Sequence, residues 1–340
     1  MRLPRRQFLH LAAAIAALPA ASRLARAQSY PTRPVHLIEG FGAGSAPDIV
    51  ARLIGQWLSE RLGQSIIVEN RSGASSSIAA EAAVRAAPDG YTLLLVTTAN
   101  PINAGTFKLN FDFIRDIAPV ATICRVPLVM EVHPSVPAKT VAAFIAYAKG
   151  NPGKINLASA GIGSLPHMAG EMFKMMTGVD LFHVPYRGAQ VFPALLAGDV
   201  QVYFGPLLSS IEFIRAGKLR ALAVTTATRS HALAEVPVLA ETLPGFEASA
   251  WYGIGAPKNT PAEIIERLNR EVGARLQIPN PTRGSLIWGP QCSQARPAIS
   301  QSSSPTRPGS GATSFWRPTS SHREERYPMT ISLKRRKVSM

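Results

Sequence analysis

Twice along this chain a short β-type run breaks into glycine and opens directly into a helix start. Phe41-Gly42-Ala43-Gly44-Ser45-Ala46-Pro47-Asp48 follows the run 35–39 and leads into an amphipathic stretch at 48–62. Ser159-Ala160-Gly161-Ile162-Gly163-Ser164-Leu165-Pro166-His167 follows the run 156–159 and leads into 166–177. A helix start has unpaired N–H groups and the positive end of the helix dipole, so each segment reads as an anion cradle. Further β-type runs at 66–69, 93–97, 128–132, 182–185, 200–204, 219–225 and 251–256 alternate with helical patterns at 78–86, 141–149, 192–197, 211–216 and 261–276. That alternation predicts an α/β chain with parallel or mixed sheets covered by helices. Two such sets, divided near residue 126, predict two lobes joined by crossing strands, with a ligand cleft between them.

The formal charge of +15 points at first to nucleic acid. Its distribution removes that reading. Residues 1–27 hold five Arg and no acid, and 281–340 hold ten Lys/Arg against two acids, leaving 21 bases and 19 acids in the body. A nearly neutral body has no basic face for phosphates. Cys124 sits in an apolar run and Cys292 in the tail, so neither a disulfide framework nor a metal cluster is expected. Nor is any cofactor. A Gly-x-Ser-x-Gly elbow, a His-Glu-x-x-His motif and a P-loop lysine are all missing, so the chain does not read as an enzyme.

The ends differ from the body. Arg2, Arg5 and Arg6 precede a short apolar stretch at 8–21, and Ala25-Arg26-Ala27 offers a small-x-small cleavage site. Arg5-Arg6-Gln7-Phe8-Leu9 is similar to a twin-arginine signal, so 1–27 reads as an export peptide to the periplasm. Residues 281–323 are rich in Ser, Arg, Pro, Thr and Gly, hold no acid, show no period, and read as disordered. Written in GC-rich codons and begun one base earlier, 299–308 would encode an amphipathic helix, which points to a frameshift.

The expected ligand contacts come from four places. Gly42, Ala43, Gly44 and Ser45 form the first cradle, with Asp48 either capping the helix or holding a water or ligand hydroxyl. Ser159, Gly163 and Ser164 form the second, with His167 as a cap or packing residue or as a contact. Tyr186 offers a hydroxyl, and Arg187 could pair a carboxylate in bidentate fashion or a local acid at the surface. Thr98 follows the third run as a further polar contact. Two cradles on opposing lobes suit a ligand with a carboxylate at each end.

These segments, in this order, resemble the tripartite tricarboxylate transporter substrate-binding family, also called Bug receptors. The likeness runs through Tyr30-Pro-Thr-Arg-Pro34, Asp48-Ile49-Val50-Ala51-Arg52, Val68-Glu69-Asn70-Arg71, Ala87-Pro-Asp-Gly-Tyr-Thr-Leu93, 159–170, 183–188 and Gly217-Lys-Leu-Arg-Ala-Leu-Ala223. It implies a two-lobed periplasmic-binding-protein-like fold of type II, a small carboxylate as ligand, and the membrane subunits of a tripartite transporter as partners. Lobe 1 is expected over 28–125, lobe 2 over 126–227 and a return to lobe 1 over 228–280, in a monomer. The chain departs from the family at Ala43-Gly44-Ser45, at 72–77 where more glycine is usual, at Gly205 where an acid is common, and in the tail that replaces two closing helices. Two other readings stand beside this one. A frameshifted, non-functional receptor follows from the tail. An exported NAD(P)-dependent oxidoreductase follows from Gly42-x-Gly44 and Glu69, although Pro47 occupies the third glycine position of that motif.

Overall fold

The computed structural model describes residues 30–277. Residues 1–27, read above as an export peptide, and the basic tail with Cys292 lie outside the described residues. In chain order the first half runs Val35–Glu39 (β1), Ala46–Leu62 (α1), Ile66–Asn70 (β2), Ser77–Val84 (α2), Thr92–Thr97 (β3), Ala99–Thr106 (α3), the single turn Phe113–Asp116 (α4) and Ile117–Val132 (β4). The second half runs Val141–Lys149 (α5), Asn156–Ser159 (β5), Leu165–Thr177 (α6), Phe182–Pro185 (β6), Val191–Ala197 (α7), Val202–Pro206 (β7), Leu207–Arg215 (α8) and Arg220–Val224 (β8). Ser249–Pro257 (β9) and Ala262–Leu276 (α9) follow.

The strands lie in the order β2-β1-β3-β9-β4-β7-β5-β6, with β8 also on β4. β1 pairs parallel with β2 and β3, and β5 pairs parallel with β6 and β7, while β4 and β9 run antiparallel to their neighbours. β1 buries Leu37 on one face and Ile38 on the other, in two separate clusters, because helices cover both sides. Val50, Ile54 and Leu58 of α1 fall at four-residue spacing and are fully buried. Each such side chain contributes about 1.5–3 kcal/mol.

β4 joins the two halves. From Ile117 to Pro127 it pairs with β9, and from Leu128 to Val132 with β7 and β8. Its first eleven residues escape a reading by pattern because Pro119 and Pro127 interrupt them. Bulges between Pro119 and Ala121 and between Thr122 and Cys124 let the strand continue through this stretch. Cys124 is a buried core residue.

The return crossing also differs from the sequence reading. Leu233, Val236 and Val238 pack with Val129, Leu207, Ile211 and Val224, so the segment after 228 stays on the second half. The chain re-enters the first half at β9. Turn residues without a period hide this in the sequence. Both crossings converge on buried Thr225, whose N–H donates to the Leu128 carbonyl (3.0 Å) and whose hydroxyl donates to the Ala248 carbonyl (2.6 Å).

Candidate functional site

The two cradles are built alike. Ser45 caps α1 by accepting from the Asp48 N–H, and Ser164 caps α6 by accepting from the His167 N–H, each at 3.4 Å. Each helix has a proline in its first turn and ends at a left-handed glycine, Gly63 or Gly178. The turns that lead in contain Gly44 at φ +77° and Gly163 at φ +83°, conformations that only glycine adopts without strain.

Behind the first cradle the Asp48 carboxylate accepts from the Gly44 N–H (2.9 Å), from Asn70 Nδ2 (2.8 Å) and from Arg52 Nε (3.0 Å). Burial pushes the Asp48 carboxyl up, but the bonds from Arg52, Asn70 and Gly44 outweigh it and hold the group below its ordinary value. Asp48 therefore fixes the turn through these three bonds. Glu39 lies beneath, accepting from the Phe41 N–H (2.8 Å) and from Asn70. Burial pushes its carboxyl up to about 8.

Behind the second cradle the Gly163 N–H donates to His167 Nδ1 (3.3 Å), and His183 Nε2 meets Ser159 Oγ at 2.7 Å. The two imidazoles stack with centroids 4.3 Å apart. Burial lowers both below the ordinary histidine value, so they stand neutral at pH 7. The Ser164 hydroxyl donates to the Gly161 carbonyl (2.6 Å), closing the turn.

Between the cradles lies a cleft. Ser45, Ala46 and Pro47 line it from one side, and Ser164, Leu165 and Pro166 from the other. Phe41, Leu128 and Phe192 make apolar wall, and Thr97, Thr98 and Ser209 add hydroxyls. No Asp, Glu, Lys, Arg or His is among the lining residues. Thr98 Oγ1 accepts from the Trp251 N–H (2.9 Å), which orients it at the rim of β9.

Of the residues singled out by sequence, Ser45, Thr98 and Ser164 line the cleft. Gly42, Ala43 and Gly44 shape the adjoining turn, while Asp48, Ser159, Gly163 and His167 support the cradles from behind. Tyr186 and Arg187 do not line it. The Arg187 side chain is exposed, and it is the backbone carbonyl of that residue that approaches Gly42. The chain turns outward there so that Gly188 can meet the first cradle: a Cβ on Gly188 would lie 2.8 Å from the Gly42 nitrogen. Ser75 seals the same seam, its hydroxyl donating to the Ile162 carbonyl at 2.6 Å.

Four further contributors carry little signal in the sequence. Gly188 stands in a motif whose arginine dominates it, and Ser75 in a serine run. Tyr203 and Tyr252 sit in β-type runs, where an aromatic residue reads as core. Both line the cleft, at 2 % and 3 % exposure. Only the register of β7 and β9 against β4 could place them there.

Comparison with known proteins agrees with this architecture. The model of the tripartite tricarboxylate transporter family receptor matches residues 50–286. BugT of Bordetella pertussis is 36% identical over 258 residues, 74% of this chain and 78% of that protein. The structure of R. palustris Rpa4515 with adipate has a TM-score of 0.72 at 38% identity, covering 74% of this chain and 85% of that one. MatC from Rhodopseudomonas palustris with bound malate has a TM-score of 0.71 at 31% identity, covering 76% and 88%.

Proposed function

This chain belongs to the tripartite tricarboxylate transporter receptor family, and from that premise we propose that it captures a small dicarboxylate, one carboxylate at each cradle. The family consists of solute-binding receptors of the periplasm. The observation that carries the proposal is the pair of Ser-capped helix starts facing each other across a cleft that no ionised side chain lines. Adipate in one relative and malate in another support the ligand class.

The mechanism is hinge closure. The open form exposes both cradles, a carboxylate docks on one, and rotation about the two crossings at Thr225 brings up the other. Each helix start supplies about 0.3–1 kcal/mol, up to about 2 where partly buried, and each N–H to a carboxylate oxygen adds about 1.5–3 kcal/mol. Export through the 1–27 segment, with cleavage near Ala27, would deliver the receptor as a monomer to the membrane subunits that take the ligand.

A thermal-shift screen of the mature chain against C4 to C8 dicarboxylates, with monocarboxylates and nicotinamide nucleotides as controls, tests the reading. Saturation at about a hundred times Kd stabilises the fold by about 2.7 kcal/mol. That corresponds to a melting rise of roughly 5–10 °C for a body of this size. A nucleotide-only shift, or no shift with any acid at millimolar concentration, would refute the proposal.

A further inference from the structure

The cleft lining carries two phenols, Tyr203 and Tyr252, whose oxygens make no hydrogen bond among the described residues. Tyr203 on β7 lies opposite Glu131 of β4, and Tyr252 on β9 lies opposite Cys124. Leu128, between those two β4 positions, lines the cleft as well. The crossing strand therefore sets one phenol on each side of the hinge, both on the lining of the cleft. Although both residues are almost wholly buried, neither hydroxyl is among the fully buried polar atoms that lack a partner, so each oxygen keeps some access to open space, and both residues line the cleft. Buried tyrosine oxygens nearly always find a partner, because an unpaired one loses its water without compensation. Here both residues line the cleft, so the group within their reach is one bound there. Burial pushes both phenols up, so each keeps its proton and donates at any physiological pH.

From this geometry, and resting on the carboxylate-receptor reading, we propose that Tyr203 and Tyr252 are the specificity-determining donors of the site. They select a carboxylate that carries a second acceptor group over the monocarboxylate of the same chain length. Leu128, Phe41 and Phe192 offer only apolar contact, and the lining hydroxyls of Thr97, Ser164 and Ser209 already donate within the protein, to Asn100 Oδ1, the Gly161 carbonyl and the Pro206 carbonyl. A ligand with a bare alkyl end leaves both phenols unpaired, whereas one with a second carboxylate satisfies them with charge-assisted bonds.

The test is calorimetric titration of the mature protein with adipate and hexanoate as probes, for wild type, Tyr203→Phe, Tyr252→Phe and the double variant. Each substitution is expected to weaken adipate about 10-fold or more while changing hexanoate less than about twofold. The apo melting temperature should hold or rise, because the deleted hydroxyl had no partner to lose. That readout separates a ligand contact from a structural tyrosine. An unchanged adipate-to-hexanoate ratio in the double variant overturns the assignment. Equal binding of the two acids by wild type overturns it too, while leaving the receptor reading in place. Failure of wild type to bind adipate, malate or hexanoate overturns both.

Discussion

Ser75 makes the one hydrogen bond that crosses the cleft mouth among the described residues, 2.6 Å from its hydroxyl to the Ile162 carbonyl. It does so from an unfavourable backbone. Ala74, Ser75 and Ser76 stand at φ +44°, +46° and +75°, a left-handed run of three residues with side chains. Each costs about 1–2 kcal/mol relative to a right-handed position. Asn103 Nδ2 offsets part of this by donating to the Ser75 carbonyl (2.7 Å), as does Asn100 Nδ2 by donating to Ser76 Oγ (3.2 Å). Ser75→Ala keeps the backbone and deletes only the latch. Ile162 is 56 % exposed, so its carbonyl regains water, and the loss is that of an ordinary hydrogen bond, about 0.5–1.5 kcal/mol. The closed-to-open ratio should fall by a factor of about 2–12. Since the ligand leaves only from the open form, stopped-flow dissociation should quicken by that factor with association unchanged. Ser75→Gly loses the same bond but also sheds the left-handed strain. It should match the Ala variant in off-rate and exceed it in melting temperature by about 2–4 °C per kcal/mol recovered. Ligand release from Ser75→Ala at the wild-type rate would show that the closed state does not depend on this bond, and the reasoning would fall.

Two further perturbations probe the closure seam and the buried acids. Gly188→Ala places a methyl 2.8 Å from the Gly42 nitrogen at φ +54°, so the lobes should stop short of contact. Affinity should drop more than about 10-fold at a stability cost of only about 1 kcal/mol, and small-angle scattering should show no ligand-induced compaction; wild-type affinity would mean the seam yields. Glu131 is fully buried, bonded through one oxygen to Ser210 (2.6 Å), and burial pushes it up to about 8 from 4.5. The folded state then binds more protons than the unfolded state between those values, so this contribution is full below pH 4.5 and is lost as pH rises toward 8. The loss reaches roughly 3 kcal/mol by pH 7. Glu131→Gln should flatten the fall in melting temperature between pH 5 and 8, and an unchanged slope would place the titration elsewhere.

The cradles were legible because their chemistry is local. A capping serine, a proline in the first turn and a glycine that needs positive φ all act within a few residues, so each segment announced its own geometry. Element type was equally legible wherever apolar spacing ran unbroken, as at Val50, Ile54 and Leu58 of α1. What escaped depends on partners far along the chain. The first part of β4 was hidden by two prolines that bulges absorb. The segment after 228 owes its place to Val224 and Val129 rather than to any period of its own. Asp48 could be read as a cap, but its carboxylate is fixed by Asn70 and Arg52, and nothing near Asn70 marks it as that partner. In the turn at 187–188 the charged Arg187 draws attention in the sequence, whereas the residue that lines the cleft and meets Gly42 is Gly188, which has no side chain to mark it.

The distribution of charge around the cleft explains how an anion can be held here and still released. Behind the first cradle, Asp48 is ionised and matched by Arg52 at 2.9 Å, while Glu39 is held neutral by burial up to about pH 8. Behind the second, His167 and His183 are kept uncharged by the same desolvation. No formal charge faces the cleft, and none behind it stands uncompensated to repel a carboxylate. The attraction left over comes from backbone N–H groups and two helix dipoles, fixed in place whether or not a ligand is present. An arginine in their position would have to be desolvated on every closure and rehydrated on every opening, at several kcal/mol per ion. Oriented dipoles avoid that cost. Under the proposed carboxylate-receptor function, they would stabilise a carboxylate enough to favour the closed form, and little enough that opening the Ser75 and Gly188 seam would let it go.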